Sequence, residues 1–323
     1  MKYITTGRPD YDAVRSMINK LSKKYPYLKV FSIGKSWLGR NIQAISIGNA
    51  SDTVLFAGGF HGSEWLTILV LLRFMERLCL AYSDETEISG VNICEAMYGR
   101  QITFIPCINP DGTEIALFGP GAALWNAGRV MRISKDYKHW QANARGVDIN
   151  HNFDAGWNEL HKLERQSGIF GPARTQYGGV MAESEPETRA ITSFCRKNVV
   201  RHAIAMHSQG EVIYWKYGNN TPAKSQTMAG IMSASSGYEL SSPEGMASHG
   251  GFKDWFISTF SRPAFTVEIG KGENPLPLEL FDDIYNQIDM SSDFLNNPEH
   301  SIAAVSYTHL YHRHSSYKTL FLF

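Results

Sequence analysis

Two residues of unlike chemistry stand three apart in Phe60-His-Gly-Ser-Glu64, and an imidazole nitrogen with a carboxylate oxygen makes half of a zinc site. A catalytic zinc takes three protein ligands and keeps one position for water, so a third ligand is required. Alone, the pair reads as a polar turn ahead of a helix. A histidine also ends the run Arg201-His-Ala-Ile-Ala-Met-His207. His207 is the candidate third ligand, its alternative being a satisfied histidine at the end of a core strand. Glu268 lies among apolar neighbours in Ala264-Phe-Thr-Val-Glu-Ile-Gly270. A carboxylate there is costly without partners, so it reads either as a paired structural ion or, beside a metal, as a general base.

These residues stand where strands should end. Thr53 to Ala57 is short and apolar, Gly58 and Gly59 mark a turn, and Leu66 to Leu80 has the length and period of a helix. In open α/β sheets, ligands gather outside the carboxyl ends of the strands, which is where His61 and Glu64 fall. Tyr11 to Lys23 has helix spacing, with Val14, Met17, Ile18 and Leu21 on one face and Asp10 placed to cap. Val30 to Ile33 and Ile42 to Ile47 read as strands joined through Ser36-Trp-Leu-Gly-Arg-Asn41, and Ile102 to Cys107 as another. Asn109-Pro-Asp-Gly112 reads as a turn, and Gly119 to Tyr137 carries no assignable pattern. Gly146-Val-Asp-Ile-Asn-His-Asn-Phe-Asp-Ala-Gly-Trp157 reads as a well-bonded surface loop, and Glu183-Ser-Glu-Pro-Glu187 opens a helix running through Arg196. Strands alternating with helices favour a wound α/β sheet.

The composition excludes several classes. With 323 residues, 43% hydrophobic content and zero formal net charge, the chain has ordinary globular composition and no global field for nucleic acid or an anionic membrane. Cys79, Cys94, Cys107 and Cys195 lie far apart and read as reduced thiols. Neither a signal peptide core nor a membrane span is legible, so the expected location is cytoplasmic. One catalytic domain is expected over residues 1–304. Residues 305–323 read as a non-native or disordered tail, since Val305 to Leu310 resembles a translated sequencing adapter. Its alternative is a metal tail built on His309, His312 and His314.

His61-x-x-Glu64, His207 at a strand end, Asn150 in Gly-Val-Asp-Ile-Asn and Glu268 in Thr-Val-Glu-Ile, in this order, resemble the zinc metallocarboxypeptidases. The resemblance runs from about Tyr3 to about Asn297 and includes Asn109-Pro-Asp-Gly112 and Gly250-Gly-Phe-Lys-Asp-Trp255. It implies a mixed, mostly parallel eight-stranded sheet between helices. One zinc ion would be held by His61, Glu64 and His207, with Glu268 activating water. It also implies an oxyanion-stabilising arginine: Arg145 is the candidate, with Arg129 and Arg132 as alternatives.

The chain departs from that family at its substrate contacts. Where the family grips a terminal carboxylate with an Asn-Arg pair, this sequence has Asn150-His151, and imidazole cannot make the bidentate fork of a guanidinium. Met246-Ala-Ser-His249 stands where the family carries a mobile tyrosine. Together with His207-Ser-Gln-Gly-Glu-Val-Ile-Tyr-Trp215 and Glu183-Ser-Glu-Pro-Glu-Thr188, these changes resemble a bacterial branch that cleaves the γ-D-glutamyl to meso-diaminopimelate bond of cell-wall peptides. A peptide or muropeptide is therefore the expected partner. Lys253 would line the pocket for the residue after the scissile bond, where a cation suits the second carboxylate of diaminopimelate; its alternative is a solvated loop lysine. Three other activities remain open: removal of C-terminal L-amino acids, deacylation of small N-acyl amino acids, and binding of wall peptides without catalysis.

Overall fold

The Asp10 carboxylate accepts the Ala13 N–H at 2.7 Å and starts helix α1 (Tyr11–Lys24), which buries Val14, Met17, Ile18 and Leu21 as its spacing requires. The computed structural model describes residue 4, residues 7–88 and residues 91–288, so the tail expected after 304 lies outside the described residues.

After α1 come strands β1 (Lys29–Lys35), β2 (Asn41–Gly48) and β3 (Asp52–Ala57), helix α2 (Leu66–Ser83) and strand β4 (Gln101–Ile105). Helices α3 (Pro110–Phe118), α4 (Ala127–Ile133), α5 (Trp157–Gln166) and α6 (Pro186–Lys197) follow, then strands β5 (Val199–His207) and β6 (Val212–Tyr214). The order closes with α7 (Lys224–Ser236), β7 (Glu239–Ser241), α8 (Phe252–Phe260), β8 (Ala264–Glu268) and α9 (Phe281–Ile288).

The eight strands form one sheet in the order β1-β2-β4-β3-β5-β8-β6-β7. The pairs β4/β3, β3/β5, β5/β8 and β6/β7 are parallel, and β1/β2, β2/β4 and β8/β6 are antiparallel. This is the mixed, mostly parallel sheet expected from the sequence.

Side chains alternate across the central strands and so supply both layers. Val54 and Phe56 of β3 with Ile204 and Met206 of β5 join the core beneath α2, while Leu55, Ala57, Ala203 and Ala205 face the opposite core with Ile191, Trp255 and Phe256. Thirteen of the 18 residues of α2 are buried, and its first seven residues, Leu66 to Leu72, are apolar except for Thr67 and buried all round. A third, small core of Ile115, Ala123, Val130, Trp140, Ala142 and Ala144 supports the wall of residues 140–145.

Two stretches differ from the sequence reading. Residues 146–157, read as a surface loop, bury Val147, Asp148, Ile149, Asn152 and Phe153. Asn109-Pro-Asp-Gly112 is the start of helix α3: the Asn109 Oδ1 accepts the Gly112 N–H at 2.9 Å, and Pro110 occupies a first-turn position where no N–H is needed. The same amide donates to the carbonyls of Phe60 at 3.0 Å and Ala142 at 3.1 Å, tying the His61 turn to the 140–145 wall. The four cysteines are free, with Cys79 and Cys195 buried and Cys94 and Cys107 partly accessible.

The acidic opening of α6 is a buried network. Glu187 accepts the Trp37 N–H at 2.8 Å and the Asn143 amide at 3.1 Å. Burial first, and then the Asp111 carboxylate, push its carboxyl up to about 8. A carboxyl raised on folding contributes stability that is intact below its ordinary value of 4.5 and is lost as pH rises through about 8. Glu187→Gln is therefore expected to melt close to the native protein at pH 4.5 and to exceed it at pH 9, by an amount on the order of a few kcal/mol. Thermal melts at the two pH values check this, and an equal difference at both would refute it.

Candidate metal centre

The parallel registers of β3, β5 and β8 bring three carboxyl ends together. Ala57 pairs with Ala205, and Glu268 pairs with His207, so the last residues of β5 and β8 lie side by side next to the turn that follows β3. That turn carries His61 and Glu64 just ahead of α2. Gly62 permits it, because a Cβ there would run into the carbonyls of Gly112 and Trp140, the latter at 2.7 Å. Its N–H donates to the Gln141 carbonyl at 3.0 Å, so the 140–145 wall begins directly beside the ligand turn.

His61, Glu64 and His207 each offer one ligand atom, and these atoms lie within 4.8 Å of one another. His61 Nδ1 is 2.8 Å from Glu64 Oε1 and His207 Nδ1 is 3.0 Å from Glu64 Oε2, so both imidazoles turn the same nitrogen toward one carboxylate. The His207 ring stacks on Phe60 at 5.1 Å, and its buried Nε2 has no hydrogen-bond partner among the described residues. On the far side of His61, Nε2 lies 3.0 Å from Asp148 Oδ1. A carboxylate on the outer nitrogen of a ligating imidazole fixes its tautomer and turns the inner lone pair to the metal.

The electrostatics agree with this donor set. Burial opposes a charged His61, yet the Glu64 and Asp148 carboxylates flanking it hold the imidazole well above its ordinary value. Burial would raise Glu64 as well, but the two histidines bring it down to about 2. The pocket thus favours positive charge between buried carboxylates. Two neutral imidazoles, one carboxylate and an outer carboxylate suit a divalent zinc ion.

Glu268 ends β8 within reach of the cleft, partly accessible. Burial, reinforced by the Glu64 carboxylate and opposed by His61, raises its carboxyl well above the usual range. Asn150 and His151 lie in a short turn, Ile149–His151, capped by the same Asp148 that holds His61. Asn150 Oδ1 accepts the Phe252 N–H at 3.0 Å, and His151 Nδ1 is 3.1 Å from the Gln176 carbonyl.

Lys253 is 4% exposed, which overturns its reading as a solvated lysine. Its ammonium donates to the Lys216 carbonyl at 3.0 Å and pairs with Asp254. Arg145 is 3.6 Å from Glu185 and stacks 4.5 Å from the centre of the Trp37 ring. No hydrogen bond or ion pair joins it to the triad or to Glu268 among the described residues.

Two contributors were missed in the sequence. Asp148 stood inside a segment read as a loop, and only its density of polar and aromatic residues hinted at a role. Asn274 gave no signal. Its amide donates to the Ser208 carbonyl at 2.6 Å and reaches Glu64 Oε1 at 3.5 Å, while Ser208 N–H donates to Glu64 Oε2 at 3.3 Å. Asn274→Ala is expected to weaken zinc binding by roughly 10- to 100-fold, as outer partners of ligands do. Competition with a chelating dye measures this, and an unchanged affinity would show that Asn274 serves the loop alone.

A mixed sheet with a His-Glu-His cluster and a second glutamate at its carboxyl edge defines a zinc peptidase architecture. The zinc carboxypeptidase family, Peptidase M14, matches residues 14–291, and the chain belongs to it. The γ-D-glutamyl-L-diamino acid endopeptidase 1 of Lysinibacillus sphaericus is 36% identical over 286 residues, covering 86% of this chain and 69% of that protein. The uncharacterized protein YqgT of Bacillus subtilis is 31% identical over 282 residues, 86% of this chain and 74% of that one. Among solved structures, the carboxypeptidase A of Helicoverpa armigera shares the fold with a TM-score of 0.68 at 20% identity, covering 95% of this chain and 76% of that chain. No helix among the described residues is long and apolar enough to cross a membrane.

Proposed function

We propose that the protein hydrolyses the γ-D-glutamyl to meso-diaminopimelate bond of peptides from the cell wall. The observation that carries the choice of bond is the 36% identity to a γ-D-glutamyl-L-diamino acid endopeptidase. His151 beside Asn150 supports it, because an imidazole bonded to the Gln176 carbonyl is a poor grip for a free peptide C-terminus.

In this reading His61, Glu64 and His207 would hold one zinc ion, which when bound would lower the pKa of water toward about 7 and polarise the scissile carbonyl. Asp148 keeps the His61 ring oriented. Glu268, its carboxyl raised by burial, accepts the proton of the attacking water and returns it to the leaving nitrogen. Arg145 is the proposed donor to the developing oxyanion: its 3.6 Å contact with Glu185 is longer than a hydrogen bond, and its side chain is 26% exposed, so it can turn to substrate. Asn150 and His151 offer hydrogen bonds to the leaving side.

Lys253 is the proposed cation at the floor of the pocket after the scissile bond. Asp254 shares its charge, so a substrate carboxylate competes for that ammonium. Lys253→Met is expected to lower kcat/KM on a diaminopimelate peptide roughly tenfold more than on its lysine counterpart, about 1.4 kcal/mol of selective binding. Equal losses on both peptides would remove Lys253 from the pocket.

The function itself is tested with a substrate panel. Cleavage of a muramyl peptide without turnover of hippuryl-type C-terminal substrates or short N-acyl amino acids is expected. The reverse preference would return the protein to ordinary carboxypeptidase or deacylase activity.

A further inference from the structure

Two indoles stand in solvent beside the 140–145 wall. Trp37 is 39% exposed and Trp125 70%, with ring centroids 6.2 Å apart and planes at 56°, so they form an open corner that leaves ring faces uncovered. Burying an indole is strongly favourable, so two exposed together require a reason. Both are also held in place. The backbone N–H of Trp37 donates to the buried Glu187 at 2.8 Å, and the Arg145 guanidinium covers one region of the Trp37 ring at 4.5 Å.

Trp125 follows Leu124, whose φ of 54° and ψ of −126° break the 3-10 segment Pro120–Asn126. Such a conformation is strained for a leucine and persists only where the surroundings impose it. On the other side of the break, the Asn126 amide donates to the Ala144 carbonyl. The strain therefore turns Trp125 outward from a point anchored on the wall that begins beside Gly62 of the metal centre.

We propose that the Trp37–Trp125 corner is a sugar-binding subsite that takes an N-acetylated hexosamine of the glycan carrying the wall peptide. This rests on the cell-wall reading of the metal centre. The chemistry matches on both sides. A pyranose ring has an apolar C–H face that packs on an indole, and its hydroxyl and acetamide groups stay in the surrounding solvent, which the open corner leaves accessible. A wall peptide is joined to its sugar through its amino end, which lies on the acyl side of the scissile bond, and Arg145, the proposed oxyanion donor, lies against Trp37 of the corner. A substrate whose acyl side meets Arg145 has its sugar on the side of the Trp37 ring that Arg145 touches.

The test uses two probes on the full chain: the N-acetylglucosamine trimer followed by tryptophan emission, and one γ-D-glutamyl-diaminopimelate peptide supplied with and without its muramyl disaccharide. The native protein is expected to show a saturable emission change with the trimer and a roughly tenfold higher kcat/KM on the glycan-bearing peptide. Trp125→Ala is expected to lose both while cutting the sugar-free peptide at the native rate, and Trp125→Phe to regain part of the preference. A native protein without emission change, or a Trp125→Ala variant that keeps its preference, overturns the subsite. So does a change in sedimentation on Trp125→Ala, which would make the corner a contact between copies. If neither peptide is cut, the cell-wall reading fails, while the trimer titration still decides the sugar site.

Discussion

Glu268→Gln is expected to lower kcat by roughly 10²–10⁴, the range that removal of a general base costs, with KM little changed. Gln keeps the shape of the side chain and a hydrogen-bonding oxygen but has no basicity near neutral pH. The residue ends β8 opposite His207, and burial together with Glu64 raises its carboxyl so that it holds a proton more firmly than an exposed glutamate would. Since Glu268 is not one of the three clustered ligands, zinc content is expected to stay at one per chain in the variant. Steady-state kinetics and metal analysis of the same preparation check both statements. A variant with full zinc and undiminished kcat would show that the proton moves through another group.

His207→Ala is expected to abolish both zinc retention and turnover. The native triad gathers its ligand atoms within 4.8 Å, and losing one leaves Glu64 buried with a single imidazole partner. Zinc at about 1,000 times its dissociation constant stabilises a folded protein by ~4 kcal/mol. The melting temperature of the native protein should accordingly rise with zinc and fall on chelation, and His207→Ala should respond to neither. A variant that still gains stability from zinc would place the ion elsewhere. This readout needs no substrate, so it separates the metal centre from the choice of bond.

Much of the centre was legible because each key residue closes a short apolar run. Gly58 and Gly59 announce the turn that carries His61 and Glu64. His207 and Glu268 end strands whose hydrophobicity makes a polar terminus conspicuous. The mixed sheet followed from the alternation of strands and helices together with the family resemblance.

What remained hidden depends on contacts between distant positions. Asp148 lies 87 residues from the His61 that it orients, and Asn274 lies 210 from Glu64, separations at which no local pattern forms. Strands β6 and β7 have three residues each, too short for a period to show. The solvated alternative for Lys253 stood open because lysine is ordinarily exposed, and only the folded chain reveals the Lys216 carbonyl and Asp254 that satisfy it. The Asn-Pro-Asp-Gly run is ambiguous for a related reason: the residues that favour a turn are those that also start a helix.

The central claim joins the His-Glu-His centre to one particular bond, and mass spectrometry of the products from a defined L-alanyl-γ-D-glutamyl-diaminopimelyl-D-alanine peptide, incubated with protein and zinc, tests it most directly. The account requires two fragments, L-alanyl-D-glutamate and diaminopimelyl-D-alanine, formed by the native protein and greatly diminished with Glu268→Gln. Release of the terminal D-alanine with the γ-D-glutamyl bond intact would contradict it.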